Sequence, residues 1–272
     1  MNWHRPRKSL GQHFLVDPIW VERIIDHIHP HATETLLEIG PGRGALTLPL
    51  LGRVKQLQII ELDNTLAARW QQQALREPRL VVHHADVMNF DFSPLLSDHR
   101  ALRIVGNLPY NIASPLILKL LDYGAHIGDL VFMVQKEVAD RMTSPPGSRQ
   151  YGRLSIMVQW LADVESLLTV PPGAFTPPPR VHSSVIRIQP LTEPRFAISN
   201  PQTYRKLVLT AFSQRRKTLR NCLKTLITEP MFASAGIDPM LRPEQLSPAD
   251  FARLEQILSM GNTRNPKEAA RE

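Results

Sequence analysis

Short apolar runs alternate with longer segments of helical spacing through the first half of the chain, and no other feature restricts the fold so tightly. Thr35 to Ile39 (TLLEI), Leu57 to Leu62, Leu80 to His83, Ala101 to Val105 and Leu130 to Val134 read as strands. A glycine-rich turn and a helix from Ala45 follow the first, a helix from about Asn64 to Arg76 follows the second, and a helix from Ser114 to Tyr123 precedes the fifth. Parallel strands need crossover connections, and the crossing helices bury both faces of the sheet. The alternation therefore predicts an α/β fold: a parallel sheet with helices on both faces. Ahead of it, Asp17-Pro18 has the form of an N-cap with proline in the first turn, and Ile19, Ile24, Ile25 and Ile28 give that helix an apolar stripe ending near Pro30.

After Lys136 the alternation loosens. Pro145-Pro146-Gly147 marks a loop, Leu154 to Leu161 a helix, and Val164 to Val170 and Ser184 to Ile188 two more strands. Pro171 to Pro179 holds five of the 24 prolines and is expected to be largely extended. Beyond Pro190 only helical patterns remain, over Tyr204 to Phe212, Thr218 to Leu226 and Pro248 to Leu258. A length of 272 residues suits one large and one small domain, at about 150 residues per domain. The expected boundary lies near Leu191, giving a sheet domain over 1–190 and a small all-helical domain over 191–272. There is no internal repeat.

Composition excludes several classes. The chain is 43% hydrophobic and 21% charged, which rules out global disorder. No apolar run approaches the roughly 18 residues of a membrane span. The single cysteine, Cys222, excludes a disulfide framework and a thiol-based zinc site, which suits a reducing cytosol. Arg5, Arg7 and Lys8 make the start basic, without the serine-rich amphipathic or long apolar pattern of a targeting segment. Residues 1–179 hold 17 bases and 17 acids, whereas 180–272 hold 15 and 8, so the surplus of +7 sits in the last third. Thr203 to Lys224 has no acid and carries Arg205, Lys206, Arg215, Arg216, Lys217, Arg220 and Lys224. Charge gathered this way suits a polyanion such as nucleic acid or an acidic membrane face; a solvated helix face is the plainer alternative.

The motifs carry more chemistry. Glu38-Ile39-Gly40-Pro41-Gly42-Arg43-Gly44-Ala45 leaves a strand and enters a helix, and its glycines let backbone approach a ligand. Glu61 follows Gly42 by 19 residues, at the end of the next strand, where a carboxylate accepts from both ribose hydroxyls. This signals a nucleoside cofactor without saying which, since Gly40-x-Gly42-x-x-Ala45 also satisfies the dinucleotide fingerprint. Asp86, after the third strand, either binds an adenine amine or caps its own turn. Asn107-Leu108-Pro109-Tyr110, after the fourth strand, is sharper. An adenine amine is a poor nucleophile because its lone pair is delocalised into the ring. Two acceptors gripping its N–H groups turn that lone pair outward. The Asn107 amide oxygen supplies one, the Leu108 carbonyl (held extended before Pro109) the other, and Tyr110 a stacking face. Phe175 could present a second aromatic to the base, or simply pack its loop. The ten histidines form no metal site: His27, His29 and His31 alternate, and His83-His84 lacks partners.

Together these residues resemble the ribosomal RNA adenine dimethyltransferases, most closely the bacterial small-subunit branch. The likeness rests on Lys8 to Leu15 (KSLGQHFL), the glycine turn, Glu61-Leu62-Asp63, Asp86, the NLPY box, Phe175-x-Pro177-x-Pro179-x-Val181-x-Ser183, Phe212 to Leu219 and Leu241 to Leu246, and spans about Lys8 to Leu258. It implies a Rossmann-like methyltransferase sheet, with S-adenosylmethionine as cofactor. It also implies dimethylation of two adjacent adenosines near the 3′ end of small-subunit ribosomal RNA, in the cytoplasm, on an assembling subunit. By motif, His13, Leu15, Gly40, Gly42, Glu61, Asp86 and Asn107 would contact the cofactor. Asn107, Leu108, Pro109, Tyr110 and Phe175 would serve the acceptor base, and Arg215, Arg216, Lys217 and Arg220 the RNA. His13 stands where the family commonly has asparagine, and Ala85 where it has glycine. The rival functions are adenine methylation of large-subunit RNA or DNA, a ribosome-assembly or transcription factor that keeps the fold, and, least well, a dehydrogenase.

Overall fold

The computed structural model describes residues 12–96, 101–214 and 216–263. Its elements in chain order are β1 (Phe14–Leu15), α1 (Pro18–Ile28), β2 (Thr35–Ile39), α2 (Thr47–Leu51), β3 (Gln56–Glu61), α3 (Asn64–Ala74), β4 (Leu80–His84), β5 (Leu102–Asn107), α4 (Ala113–Leu121) and β6 (Ile127–Gln135). There follow α5 (Lys136–Thr143), α6 (Arg153–Leu161), β7 (Ala162–Val170), β8 (Phe175–Thr176), β9 (Ser183–Pro190), α7 (Pro201–Ala211), α8 (Leu219–Leu223), α9 (Glu229–Ala235) and α10 (Pro248–Thr263). Two compact units emerge, one of residues 1–139 and 163–193, the other of 140–162 and 194–272.

The first unit is the expected α/β sheet. Seven strands run in the order β4-β3-β2-β5-β6-β9-β7. The five strands anticipated from the sequence, β2 to β6, pair in parallel. β9 then joins β6 antiparallel, extending a parallel sheet by a reversed strand. β2 lies between β3 and β5, so the connections leaving the ends of β2 and β5 diverge and open a crevice there. The Asp17 cap falls where the sequence placed it, accepting from the Ile19 amide at 2.9 Å, and Asp63 caps α3 in the same way, accepting from the Thr65 amide at 2.9 Å. A two-stranded ribbon, β1 with β8, was not foreseen; it pairs Leu15 with Phe175. The proline-rich stretch is only partly extended, since Pro172 to Ala174 forms a 3₁₀ turn.

The second unit is helical, and its extent corrects the expected boundary. Residues 140–162, assigned from sequence to the sheet domain, belong here, and the later junction falls at 193/194 rather than 190/191. The reason is hydrogen bonding across long sequence distance. The Tyr151 hydroxyl donates to the Leu246 carbonyl at 2.8 Å, and the Trp160 indole to the Phe196 carbonyl at 3.1 Å. The Trp160 ring also packs 5.0 Å from that of Tyr204. Trp160 is thus a core residue.

Candidate active site

A cavity of roughly 320 Å³ occupies the crevice beyond the carboxyl ends of β2, β3 and β5, a volume in the range of small-molecule sites. Its wall includes all the expected cofactor contacts: His13, Leu15, Gly40, Gly42, Glu61, Asp86 and Asn107.

The glycine turn shapes one side. Gly42 sits at φ 54, in the left-handed region, and a Cβ there would stand 3.0 Å from the Phe14 ring. Glycine is needed for both reasons. Opposite the turn, Glu61 is buried, and its carboxylate accepts from the Gly42 amide at 3.2 Å and the Asp63 amide at 2.8 Å. Burial raises its pKa above the ordinary carboxylate value, and those two amides pull it back. Deeper in the same wall lies Glu38, only 2% exposed, whose Oε2 has no hydrogen-bond partner among the described residues. Burial pushes its pKa up to about 8; the Thr47 hydroxyl opposes this and the Glu61 charge reinforces it. At neutral pH Glu38 therefore keeps its proton. Sequence reasoning missed it, because a glutamate inside TLLEI carries no outward sign of its depth.

Asp86 caps its own turn, its Oδ1 accepting from the Met88 amide at 2.9 Å and its Oδ2 from Asn89 at 3.1 Å, and it also lines the cavity. Each carboxylate oxygen retains accepting capacity beyond those bonds.

The acceptor side is built on the end of β5. Gly106 packs so closely on β2 that a Cβ would collide with the Ile39 carbonyl oxygen, which brings Asn107 against the glycine turn. The Asn107 amide nitrogen donates to the His13 carbonyl at 3.0 Å. That bond fixes the amide's orientation and leaves its oxygen for an incoming donor. The next residue is held in place by the Leu108 amide, which donates to the Met133 carbonyl at 3.0 Å, while the Leu108 carbonyl accepts nothing among the described residues. Tyr110 anchors its hydroxyl on Ser183 at 3.1 Å and stacks on the His13 ring, centroids 5.7 Å apart. His13 in turn bonds the Pro177 carbonyl through Nδ1 at 2.8 Å. Thus the NLPY box and the proline-rich stretch meet on one histidine.

The structure brings Leu108, Pro109 and Tyr110 to the cavity wall. Phe175 it does not. Paired with Leu15 in the ribbon, it turns inward and is 3% exposed within the apolar core, so the expectation that it stacks on a base is corrected. Of the basic residues, Arg216 and Lys217 are exposed on the turn between α7 and α8, and Arg220 is exposed but paired with Glu229 at 2.7 Å. Arg215 and the motif residues Lys8 to Gly11 lie outside the described residues. Among the described residues no cluster of three or more His, Cys, Asp or Glu could hold a metal, and no helix is long and apolar enough to cross a membrane.

Comparison with known proteins agrees with this geometry. The family model for ribosomal RNA adenine dimethylase matches residues 3–260. The ribosomal RNA small subunit methyltransferase A of Alcanivorax borkumensis is 48% identical over 94% of this chain and 91% of its own. That of Pseudomonas aeruginosa is 47% identical over 94% and 96%. Among solved structures, a dimethyladenosine transferase from Plasmodium falciparum superposes with a TM-score of 0.76 at 25% identity, covering 93% of this chain and 98% of that one. The 23S rRNA methyltransferase ErmE gives 0.67 at 25% identity, covering 90% and 99%. A cavity lined by the tight glycine turn and by the carboxylates of Glu61 and Asp86, both able to accept from hydroxyl or amine donors, fits S-adenosylmethionine. The whole-chain match and the cavity converge, and the chain belongs to the ribosomal RNA adenine dimethylase family, enzymes that methylate with S-adenosylmethionine.

Proposed function

We propose that this chain dimethylates the exocyclic amines of two adjacent adenosines near the 3′ end of small-subunit ribosomal RNA, acting in the cytoplasm on an assembling subunit. The observation that carries the acceptor chemistry is the engaged Asn107 nitrogen, which leaves the amide oxygen to accept, next in sequence to a Leu108 carbonyl that accepts nothing among the described residues. The small-subunit assignment draws on the names of the two bacterial relatives.

The cofactor supplies an electrophilic methyl on a positively charged sulfur. Glu61 would hold its ribose, Asp86 its adenine, and the glycine turn its amino-acid end. In the first transfer Asn107 Oδ1 and the Leu108 carbonyl grip the two amine N–H groups and turn the nitrogen lone pair towards that methyl; in the second, one of the two oxygens holds the single remaining N–H. Tyr110 stacks on the base, its ring plane set by Ser183 and His13. Because the positive charge leaves sulfur as the methyl moves and rests on the amine nitrogen until its proton departs, a strong counter-charge fixed beside the sulfur would favour the ground state. Glu38 holds its proton below about pH 8 and adds none. Orientation is the main contribution of these residues, and the amine proton leaves to water without a dedicated base. In the helical unit, Arg216, Lys217 and Arg220, with Arg215, would bind RNA phosphates.

The test is to incubate the protein with isotopically labelled cofactor and separated ribosomal subunits, then map modified bases. Label on paired adenosines of the small subunit is the expected result. Label confined to large-subunit RNA, or none, overturns the proposal.

A further inference from the structure

Lys119 belongs to α4, within the run LILKLL, where a half-buried lysine beside leucines has no evident purpose. Among the described residues its ammonium forms no ion pair, although the Asp91 carboxylate lies near enough to feel its charge. It donates to the carbonyls of Met88 and Phe90, each at 2.8 Å, and reaches that of Val87 at 3.4 Å. An ammonium has three protons, and here all three point at one loop from 29 to 32 residues away in sequence. Beneath it lies the Phe92 ring, its centroid 5.3 Å from Nζ and fully buried. The loop so gripped supplies Asp86, Val87 and Met88 to the cavity wall.

We infer that Lys119 is a positioning residue that sets the adenine end of the cofactor site, an inference resting on the cofactor reading above. A loop of irregular backbone has its carbonyls facing either solvent or a donor. One charged donor satisfying three of them selects a single course for the loop, and charge-assisted bonds to carbonyls are stronger than neutral ones. Helix α4 starts just past the NLPY turn and carries Lys119 near its end, so one rigid element holds the acceptor turn and the adenine loop in fixed relation. With its protons spent on carbonyls, Lys119 is not available as a phosphate contact.

The experiment measures binding of S-adenosylhomocysteine, the probe, by titration calorimetry to wild type, K119M, K119Q and K119R, together with steady-state methyl transfer. K119M is expected to weaken probe binding about tenfold and raise KM for the cofactor likewise, with kcat at saturation within about twofold and KM for RNA unchanged. K119R, which keeps charge and donors, recovers most of the loss. Should K119M not fold, K119Q carries the same test. Wild-type affinity in K119M or K119Q overturns the inference, as does equal loss of kcat and of both KM values, the pattern of a merely structural lysine. A wild type that does not bind the probe would instead bring down the cofactor reading and this inference with it.

Discussion

Replacing Glu38 by glutamine tests the electrostatics of the cavity. Glu38 is 2% exposed and its pKa is raised from an ordinary 4.5 to about 8, chiefly by burial. Below the lower value both folded and unfolded chains hold the proton, so the group has no effect on stability. Between the two values the unfolded chain releases the proton and the folded chain keeps it, which favours unfolding more at each step. Above about pH 8 both are ionised and the penalty levels off. At about 1.4 kcal/mol per pH unit, the penalty accumulated across the window is on the order of 5 kcal/mol. This is a large part of a typical total of about 5–15 kcal/mol. Glu61, also raised, adds a decline of the same sign that the substitution leaves in place. Glutamine has nearly the same shape and cannot ionise. Urea denaturation followed by circular dichroism from about pH 5 to about pH 8.5 is the assay. E38Q should gain on wild type steadily as pH rises, whatever constant offset its buried amide introduces. Parallel stability curves would refute the reasoning and mean that Glu38 is ionised or solvated in the folded protein.

Further outcomes follow from particular contacts. Gly106→Ala forces a Cβ onto the Ile39 carbonyl oxygen, and should destabilise by about 1–3 kcal/mol. Because it displaces Asn107, methyl transfer should fall more than cofactor affinity; thermal melts beside initial rates decide, and a stable, active variant contradicts the close packing. Tyr110→Phe loses only the bond to Ser183 and should retain most activity, whereas Tyr110→Ala should raise KM for RNA by the equivalent of about 1–3 kcal/mol of lost stacking. Equal kinetics for the two would remove Tyr110 from base recognition. Charge reversal at Arg216 and Lys217 should weaken RNA binding and lower its salt slope by roughly 0.7–0.9 for each phosphate no longer neutralised; an unchanged slope would place the RNA surface elsewhere.

Most of the sheet was legible because each parallel strand carries a short cluster of apolar, largely β-branched or leucine residues, such as LL in β2, II in β3 and VV in β4, between helical segments. The glycine turn and the NLPY box were legible for another reason: backbone geometry there admits few residue types, so composition and position carry the message together. Other features left no local trace. Two-residue strands such as β1 and β8 have no periodicity, so the pairing of Leu15 with Phe175, which buries the aromatic, could not be foreseen. Residues 140–162 join the helical unit through bonds such as Tyr151 to Leu246, 95 residues apart. Helix α9 buries only Phe232 and Ala235, too few apolar positions for a helical period to show in the sequence. Glu38 and Lys119 were invisible for a shared reason. What makes each unusual is what surrounds it in space: a wall in which no described residue pairs with Glu38 Oε2, and three carbonyls that meet one ammonium.

Two oxygen atoms at the end of β5 decide whether the proposed chemistry holds. A crystal structure of the protein with an adenosine-containing oligonucleotide and an unreactive cofactor analogue would locate them directly. The expected result is an everted adenine whose exocyclic nitrogen donates to Asn107 Oδ1 and to the Leu108 carbonyl, each at about 2.8–3.2 Å. An adenine bound in the cavity with either oxygen turned away from that nitrogen would contradict it.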